Sequence, residues 1–455
     1  MGRDRFQSIA MLDAFIRHPF MSRAGAAALT PRAFVEAMCR VERALARVQE
    51  RAGLLPAGTS AAIETQLKVD AFDLDRLGTE TADGGNVAIP FVKQAKALLA
   101  DELGDYFHVG ATSQDILDTA LMLVLRPRLE AILVRLGESR RHGVALMHRH
   151  AQTPMIGRTL MQQAMPITFG AKVAQWLWGL AQSEKRLGEI KAHGLFVQFG
   201  GPVGVHTGLA DNGPSLMDAL ADELGLTRAI LPWHTDRQPI LALADALGAV
   251  AIAAEKIALD VALMAQTEIG ELSEPAGTGA GGSSSMPHKR NPVGCARIRA
   301  AARQIHANVA MLHNVGAQPM ERGLGEWHAE WAPLVDNVVL AEGALDTLSV
   351  LLRDLNVHAD AMRHNLKLTG SAFLARPAVA VLSQHMGPER AEHLVNDAIR
   401  QTTTDPRELA DTLLDQPDVA GAVDAGMLRA ALDPLANTGA SQALVERVGR
   451  ALAAM

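Results

Sequence analysis

Apolar residues recur at helical spacing over several unusually long stretches of this chain. The pattern predicts long helices over residues 113–150, 166–192, 239–271, 292–315 and 327–355. Pro127 should kink or divide the first of them, because proline lacks the N–H that a helix interior needs. Ala and Leu, which favour helices, recur throughout, whereas the alternating runs typical of strands are scarce. The fold is therefore predicted to be all-α.

Residues 239–271 carry almost only Ala, Leu, Ile, Val or Met between their few charges. A helix that is apolar on most sides is buried on most sides. Because five helices of one subunit do not easily bury every face of a central member, the pattern predicts that the bundle associates with copies of itself. Shorter helices and turn signals precede and follow the bundle. Three domains are expected: a small helical domain over residues 1–108, the long-helix bundle over 109–356 and a second small helical domain over 357–455.

Composition and charge exclude several classes of protein. Lys and Arg total 43 against 50 Asp and Glu, and the net charge of −7 argues against a nucleic-acid-binding protein. The two cysteines, Cys39 and Cys295, are too few for a disulfide framework or a cysteine zinc site. The sequence also lacks the HExxH pattern that would indicate a histidine zinc site. The charged N-terminus lacks an apolar signal-peptide core, and no segment reaches the ~20 apolar residues of a membrane span. A soluble, cytoplasmic protein is expected.

The most unusual segment runs from Gly277 to Pro292 and reads GTGAGGSSSMPHKRNP. Its glycines fit the G-x-G-x-x-G spacing, but a dinucleotide-binding loop follows a strand, and the preceding residues are predicted to be helical. Lys289 and Arg290 add positive charge, and Asn291 followed by Pro292 predicts a helix N-cap with a first-turn proline. A glycine-rich loop joined to a cationic helix start suits closure over an anionic substrate. A surface linker with solvated charges fits the same residues equally well.

Two other segments place polar residues where a ligand could bind. Thr112 and Asp115 have roughly the spacing of a capping box at the start of a long helix, where backbone N–H groups favour a carboxylate. An ordinary N-cap is the commoner role of such a pair. Arg158, Gln162 and Gln163 form a polar cluster between apolar runs. That cluster suits a lined pocket or, equally, a loop that satisfies its own backbone.

A fourth segment, residues 318–331, combines aromatic and charged side chains. Trp327 and Trp331 lie four residues apart and are predicted to pack together in the core. Arg322 lies in a glycine-containing loop, where a surface ion pair with Glu321 is the simplest expectation.

Together these segments resemble the fumarase/aspartase superfamily. GGSSSMPHKRNP is similar to the superfamily signature G-S-S-x-M-P-x-K-x-N-P, HVGATSQD to its first conserved region and GRTLMQQA to its second. The resemblance covers roughly residues 80–375. It implies a three-domain helical fold in a homotetramer whose bundles merge into one core, with each active site drawn from three subunits. It implies no metal or organic cofactor and no nucleic-acid or membrane partner.

Within the superfamily, residues 85–93, 163–170, 231–235 and 321–331 resemble the cycloisomerase branch. Several lyases of the superfamily carry a His after the Thr of the second region, whereas this chain has Leu160, and that branch also lacks the His. The resemblance implies a small polycarboxylate substrate, 3-carboxy-cis,cis-muconate, which is closed to a lactone in the protocatechuate branch of the β-ketoadipate pathway. The alternative is a lyase that releases fumarate or a related product from a succinyl-type substrate. A structural protein that has lost activity is a third hypothesis, which the intact signature residues oppose.

The resemblance also assigns roles to individual residues. Lys289 and Arg322 are expected to stabilise the negative charge that develops on a carboxylate, with Lys289 the better proton donor. Ser283 aligns with the base serine of the lyases and is expected at least to bind the substrate. The remaining residues are expected to bind carboxylates, to line the pocket or to orient the loop: Asn86, His108, Thr112, Ser113, Gln114, Arg158, Gln162, Ser284 and Asn291.

Overall fold

A computed structural model describes residues 15–16, 19–209, 211–275, 286, 289–369, 372–404 and 408–455. The described part of the chain is mainly helical, and it begins with a set of short helices around one longer helix. These are α1 (Arg23–Ala28), α2 (Pro31–Arg51), α3 (Thr59–Gln66), α4 (Leu74–Gly84), α5 (Ala88–Leu98) and α6 (Asp101–Gly104), with a 3-10 turn at Val69–Ala71.

The long helices follow in the middle of the chain, and each begins within four residues of its predicted start. The long helices are α7 (Ser113–Arg149), α8 (Phe169–His193), α10 (Gln238–Met264), α11 (Val293–Asn314) and α13 (Trp331–Asp354). Two shorter helices, α9 (Asn212–Leu224) and α12 (Glu326–Ala329), lie between them in the chain. The prediction of five long helices is confirmed. The third ends at Met264, seven residues before its predicted end, and the fifth is preceded by the separate helix α12.

The C-terminal part consists of shorter helices with their own apolar core, which includes the fully buried side chains of Leu382, Val395 and Leu413. The helices are α14 (Ala359–Asn365), α15 (Ala375–Met386), α16 (Pro388–Thr404), α17 (Leu409–Leu414), α18 (Pro417–Ala420), α19 (Ala425–Ala431) and α20 (Ser441–Ala453), with 3-10 turns at Ala372–Leu374 and Leu435–Asn437. This region agrees with the short broken helices expected from its prolines.

Two small antiparallel sheets are the exceptions to the all-α prediction, which is otherwise confirmed. Strands β1 (Pro154–Thr159) and β2 (Gln162–Thr168) form a hairpin, and β3 (Leu272–Ser273) pairs with β4 (Asn356–Val357). The expectation that helix directly precedes the glycine-rich loop is wrong, because β3 lies there. Its antiparallel pairing with two residues does not make the parallel sheet that a dinucleotide loop requires.

Helix α7 continues through Pro127, so of the two predicted effects, a kink or a division of the helix, the division is wrong. A proline inside a helix loses one backbone hydrogen bond and crowds the preceding turn. Apolar side chains on both sides of it, including Leu125, Leu129 and Ile132, are fully buried. Burial of this stripe compensates for the lost bond and keeps the helix in one piece.

The chain divides into two compact units, each built from three separate stretches. Unit 1 contains the described residues of 1–136, 183–254 and 297–346, and unit 2 contains those of 137–182, 255–296 and 347–455. Both units are discontinuous in sequence, unlike the consecutive domains expected over residues 1–108, 109–356 and 357–455. That three-domain division stays a prediction.

Helix α10 is buried on most sides, as its composition predicts. Its exposed positions form one narrow face, which carries Asp245, Ile252 and Lys256. Ile252 is the large apolar side chain on that face, with 61% of its surface exposed. One chain therefore already buries most of the apolar surface of this helix, and self-association through the bundle stays a prediction.

Candidate active site

The predicted site residues fall into two sets, one in each unit. Unit 1 holds the set around the start of α7, together with Arg322. Unit 2 holds the hairpin residues Arg158 and Gln162 and the residues before α11, namely Lys289 and Asn291. Ser283 and Ser284 lie outside the described residues, so their predicted roles rest on the sequence alone.

The start of α7 has half of the predicted capping box. The carboxylate of Asp115 accepts a hydrogen bond from the Thr112 backbone N–H at 2.9 Å, as the reciprocal arm of such a box does. The same carboxylate accepts hydrogen bonds from the backbone N–H groups of Gly200 and Gly201, both at 2.9 Å. It also contacts the His234 ring Nε2 at 2.7 Å. Asp115 thus connects the start of α7 to two segments that are distant in the chain, at Gly200–Gly201 and at His234. An ordinary N-cap interaction, which its spacing suggests, would make no such connection.

Gln114 and Arg322 bring two of the predicted motifs together in unit 1. Arg322 Nη1 donates to Gln114 Oε1 at 3.1 Å, and Nη2 donates to the Pro202 carbonyl at 2.9 Å. The expected surface ion pair with Glu321 is therefore replaced by two neutral acceptors. Burial lowers the pKa of Arg322, while the nearby carboxylates of Asp115 and Asp118 oppose that shift. The guanidinium remains partly exposed and keeps donors for an anion.

A buried charged cluster lies behind Gln114. Arg237, with 2% of its surface exposed, donates to Asp118 at 2.8 Å and to Glu330 at 2.8 to 3.1 Å. Burial opposes the charge on Arg237, but the two carboxylates outweigh it and raise the pKa of the guanidinium. Burial raises the pKa of Glu330, Arg237 opposes that rise, and the nearby Asp118 carboxylate adds to it. The Trp327 indole N–H completes the cluster by donating to Asp118 at 2.9 Å.

Trp327 and Trp331 pack together as predicted. Their rings meet edge to face with centroids 5.0 Å apart. Trp327 is buried, whereas Trp331 is only partly buried, so the pair lies at the edge of the core and not at its centre.

His108 precedes α7 in a left-handed backbone conformation, with φ of 65°. Its Nδ1 contacts the buried carboxylate of Glu42 at 2.6 Å. Burial opposes protonation of the ring, but Glu42 outweighs that effect and the pKa of His108 is raised. The Asp115 carboxylate adds to that rise. Asn86, by contrast, serves its own helix, since its Oδ1 accepts from the Ala88 backbone N–H at 3.1 Å.

Arg158 in unit 2 forms a bidentate ion pair. Its Nη1 and Nη2 donate to the two carboxylate oxygens of Glu271 at 2.9 and 2.7 Å. The Glu271 side chain is fully buried and also accepts from Asn365 Nδ2 at 2.8 Å. Neither a free pocket-lining arginine nor a self-satisfied loop describes this arrangement. The cluster is a hairpin whose arginine is neutralised by a carboxylate.

The hairpin tip is apolar and strained. Leu160 and Met161 occupy the turn with φ of 48° and 65°, and Leu160 is 97% exposed. Left-handed backbone costs roughly 1 to 2 kcal/mol for each residue that is not glycine. Gly157 fits a bulge in β1, where an added Cβ would lie 2.9 Å from the Met165 carbonyl oxygen. Gln162 begins β2 beside this tip and is exposed.

The start of α11 is capped by a residue that the sequence analysis did not consider. The Glu274 carboxylate accepts from the backbone N–H groups of Gly294 and Cys295 at 2.9 and 2.7 Å. The predicted side-chain cap at Asn291 is therefore wrong, and the Asn291 carbonyl instead accepts from Val293 N–H at 2.9 Å. The carboxylate favours this position because helix N-termini carry partial positive charge. Lys289 lies exposed just before it.

Several residues of these sites escaped sequence reasoning. They are Glu42, Asp118, Arg237, Glu271, Glu274 and Glu330. His234 was noted only as part of the segment 231–235 that resembles the cycloisomerase branch, with no role assigned to it. Asp115 and Asp118 are spaced i, i+3 at the start of a long helix, so that both can lie on one face, and that was the available signal. The carboxylate and arginine partners lie far away in the chain, and no local pattern connects them.

Two further observations concern what the described residues lack. Among them, no three His, Cys, Asp or Glu side chains cluster in a way that would hold a metal ion. The helices described here are each too short or too polar to cross a bilayer.

Comparison with known proteins identifies the family. A family model described as "Lyase" matches residues 27–307. A 3-carboxy-cis,cis-muconate cycloisomerase of Pseudomonas aeruginosa is 40% identical over 434 residues, covering 94% of each chain. A nitrosuccinate lyase of Streptomyces davaonensis is 39% identical over 452 residues, covering 96% of this chain and 95% of that protein. The crystal structure of the 3-carboxy-cis,cis-muconate lactonizing enzyme from Pseudomonas putida matches with a TM-score of 0.89 and 36% identity, covering 96% and 98% of the two chains. The chain belongs to the fumarase/aspartase superfamily of lyases.

Proposed function

We propose that this chain is a 3-carboxy-cis,cis-muconate cycloisomerase, which closes its substrate to a carboxymuconolactone. The observation that carries the proposal is the hydrogen bond between Arg322 and Gln114, which unites two segments expected to bind anions. Relatives named for this activity cover nearly the whole chain. Leu160, where several lyases carry an acid/base His, also fits a reaction that needs no such residue.

The reaction is an intramolecular addition. An oxygen of one substrate carboxylate forms a C–O bond to a carbon of the double bond. The π electron pair moves to the neighbouring carbon and onto a second carboxylate, which becomes an enediolate. A proton then adds to that carbon, and no atom leaves. The protein must hold three carboxylates, stabilise the new charge and supply one proton.

Arg322 is suited to the charge-stabilising role. Its two observed acceptors, Gln114 Oε1 and the Pro202 carbonyl, are neutral, so its positive charge is not cancelled by a direct ion pair there. Preorganised cations aimed at developing charge contribute more in a partly desolvated site than in water. Thr112 and Ser113 at the start of α7 offer side-chain hydroxyls to a further carboxylate, while the Thr112 backbone N–H is already donated to Asp115.

Lys289 is proposed as the proton donor. An ammonium group can release a proton and recover it from water, whereas a guanidinium stays protonated. Ser283, Ser284 and Asn291 bind or orient the substrate in this proposal, and Gln162 and His108 contact it. Arg158 contributes less charge than expected, since Glu271 neutralises it.

The proposed enzyme is a cytoplasmic homotetramer in which each active site takes residues from several copies of the chain. The exposed apolar hairpin tip at Leu160 and Met161 supports a partner there, since isolated strained apolar turns are costly in water. Size-exclusion chromatography with light scattering tests the assembly. A mass near one subunit, 48.4 kDa, would contradict it.

Loss of ultraviolet absorbance tests the activity directly, because the conjugated diene absorbs and the lactone does not. Purified wild-type protein, without added metal, should remove the absorbance of 3-carboxy-cis,cis-muconate. Lys289→Ala should lower kcat by about 100-fold or more, as loss of a general acid does. Lys185→Ala removes another exposed lysine and serves as the matched control. An inactive wild-type protein would refute the proposed function.

A lyase is the second candidate, and the relative from Streptomyces davaonensis favours it. Its 39% identity over 452 residues is close to that of the cycloisomerases, although it is named a nitrosuccinate lyase. Incubation with nitrosuccinate and other succinyl compounds, followed by detection of fumarate, separates the candidates. Fumarate release without loss of the muconate absorbance would favour the lyase.

A further inference from the structure

The buried cluster of Asp118, Arg237 and Glu330 has no role in the proposed reaction, yet it lies directly behind Gln114. Only 2% of Asp118 and 3% of Glu330 are exposed, and Gln114 is fully buried. Buried ion pairs give little net stability compared with apolar residues of the same size. A cluster this costly therefore calls for an explanation beyond folding.

Gln114 has a carboxamide whose two ends differ chemically. Its Nε2 donates to the His234 backbone carbonyl at 2.8 Å and to Asp118 Oδ2 at 3.2 Å. Both partners are pure acceptors, so only the nitrogen end of the amide can face them. The oxygen end must then face the other way, where it accepts from Arg322 at 3.1 Å. Asp118 and the His234 carbonyl together determine which atom of Gln114 meets the guanidinium.

Asp118 is itself fixed by several donors. Arg237 Nη1 donates to Oδ2 at 2.8 Å, and the Trp327 indole donates to Oδ1 at 2.9 Å. Glu330 holds the other side of the Arg237 guanidinium, with its nearest contact at 2.8 Å. The chain of contacts runs without a break from Glu330 to Arg322, and only Arg322 reaches solvent.

The charges of the cluster also favour Arg322. Arg237 contributes one positive charge and the two carboxylates contribute two negative charges, so the ionised cluster is net negative. Asp118 is the member of the cluster whose charge opposes the cost of desolvating the Arg322 guanidinium, in addition to the larger effect of Asp115 outside the cluster. An approaching substrate carboxylate would meet a cation that is already oriented.

We propose that Asp118 is a positioning residue for Arg322, acting through the orientation of the Gln114 amide, and that Arg237 and Glu330 fix Asp118 in place. The inference rests on the proposed function of Arg322 in the cycloisomerase reaction. It assigns no contact with substrate to Asp118, Arg237 or Glu330.

A double-mutant cycle between Asp118 and Gln114 tests the coupling. Asp118→Ala should lower kcat about 100-fold, the size of effect that a 1 Å displacement of a reacting group produces. In the Gln114→Ala background the same substitution should change kcat by no more than about 2-fold, which is the limit for independent additivity. Additive losses in the double variant would overturn the proposal, because Asp118 would then act by another route.

Asp118→Asn separates orientation from folding. Asparagine can keep its oxygen towards Gln114, but its amide nitrogen then faces the Trp327 N–H, which is also a donor, so that one hydrogen bond is lost. Because the acceptor towards Gln114 remains, most of kcat should return, to within about 10-fold of wild type. A loss as large as that of Asp118→Ala would contradict positioning through the acceptor. Trp327→Phe removes one donor to Asp118 and should lower kcat in the same direction by less. Unchanged kcat in Trp327→Phe would count against the proposal.

Glu342→Ala is the matched control. Glu342 is also a buried carboxylate of unit 1, but it accepts from Ser22 Oγ at 3.1 Å and lies 3.6 Å from Arg128. The substitution Glu342→Ala should lower the melting temperature while leaving kcat within about 2-fold of wild type. An equal fall in kcat would make the Asp118 effect a general consequence of instability and overturn the proposal.

A crystal structure of Asp118→Ala distinguishes failure of this inference from failure of the proposed function. The bond between Arg322 Nη1 and Gln114 Oε1, 3.1 Å in the wild type, should be lost in the variant. An unchanged bond overturns the positioning role, whatever reaction the enzyme catalyses. An inactive wild type with a displaced Arg322 in the variant refutes only the cycloisomerase.

Discussion

Replacing Arg158 by Met tests whether this predicted pocket residue is mainly a structural ion-pair partner. The substitution removes two charge-assisted hydrogen bonds, of 2.9 and 2.7 Å, from the Glu271 carboxylate. That carboxylate is fully buried, and among the described residues the Asn365 amide, at 2.8 Å, is its remaining side-chain hydrogen-bond donor. The variant thus leaves a buried charge with one donor.

The expected loss of stability follows from these contacts. Two hydrogen bonds to a charged group contribute about 1.5 to 3 kcal/mol each, and breaking a buried ion pair costs about 3 to 5 kcal/mol. The free energy of unfolding should therefore fall by about 3 to 5 kcal/mol at pH 7. The double variant Arg158→Met/Glu271→Met buries no charge and should recover most of the loss, since apolar replacement of a buried pair is often neutral.

Urea unfolding, followed by tryptophan fluorescence, measures these differences. Arg228→Met is the matched control, because its pair with Asp222 is exposed on both sides, at 58% and 57% of the side chains. That control should cost less than about 1 kcal/mol. A loss below about 1 kcal/mol for Arg158→Met, or a double variant as unstable as the single one, would refute the reasoning. A normal KM in the stable double variant would also remove Arg158 from substrate binding.

The other predictions concern a glycine, a histidine and a thiol. Gly170→Ala should lower the melting temperature strongly, because the added Cβ would lie 2.6 to 2.8 Å from three backbone atoms of the segment that ends α7. Gly188→Ala is the control: an added Cβ there has no neighbour within 4 Å and should raise stability by about 0.5 to 1 kcal/mol. Equal effects of the two substitutions in thermal scans would contradict this. Glu42→Gln should lower the pKa of His108 in an NMR titration. The stability that the wild-type pair contributes should be full below pH ~6.5 and lost as the pH rises through the raised folded-state pKa of His108. An unchanged titration would show that Glu42 does not raise the pKa of His108. Both cysteines are buried, and burial raises the pKa of the Cys39 thiol to about 12. A thiol reagent at pH 8 should therefore react with neither cysteine until urea unfolds the protein. Fast reaction of the native protein would contradict the burial of these thiols.

The helices and the motif segments could be predicted from the sequence because each has a local signature. Apolar spacing marks the long helices, and the order of Gly, Ser, Lys, Asn and Pro marks the signature loop within a few residues. The hairpin of β1 and β2 could not be predicted in this way. Its turn uses Leu160 and Met161 in left-handed conformations that normally select Gly or Asn, so the usual turn signal is missing.

Capping was only partly predictable. Thr112 and Asp115 are three residues apart, and their hydrogen bond follows the spacing that predicted it. Glu274 caps α11 from about 20 residues away and displaces the role expected for Asn291. Sequence motifs cover the nearest turn of the chain, whereas any carboxylate that reaches a helix N-terminus can satisfy it.

The sequence by itself determined the helical class, the family and the types of residue proposed to bind the substrate. Tertiary structure decided which charges remain available to it. Arg237 lies 119 positions from Asp118 and 93 from Glu330, yet the three form one buried cluster. Arg158 is neutralised by Glu271, while Arg322 rests on neutral oxygens. A charge is cancelled or kept by whatever the fold brings within about 4 Å of it, and Coulomb attraction depends on that distance and burial, not on separation along the chain.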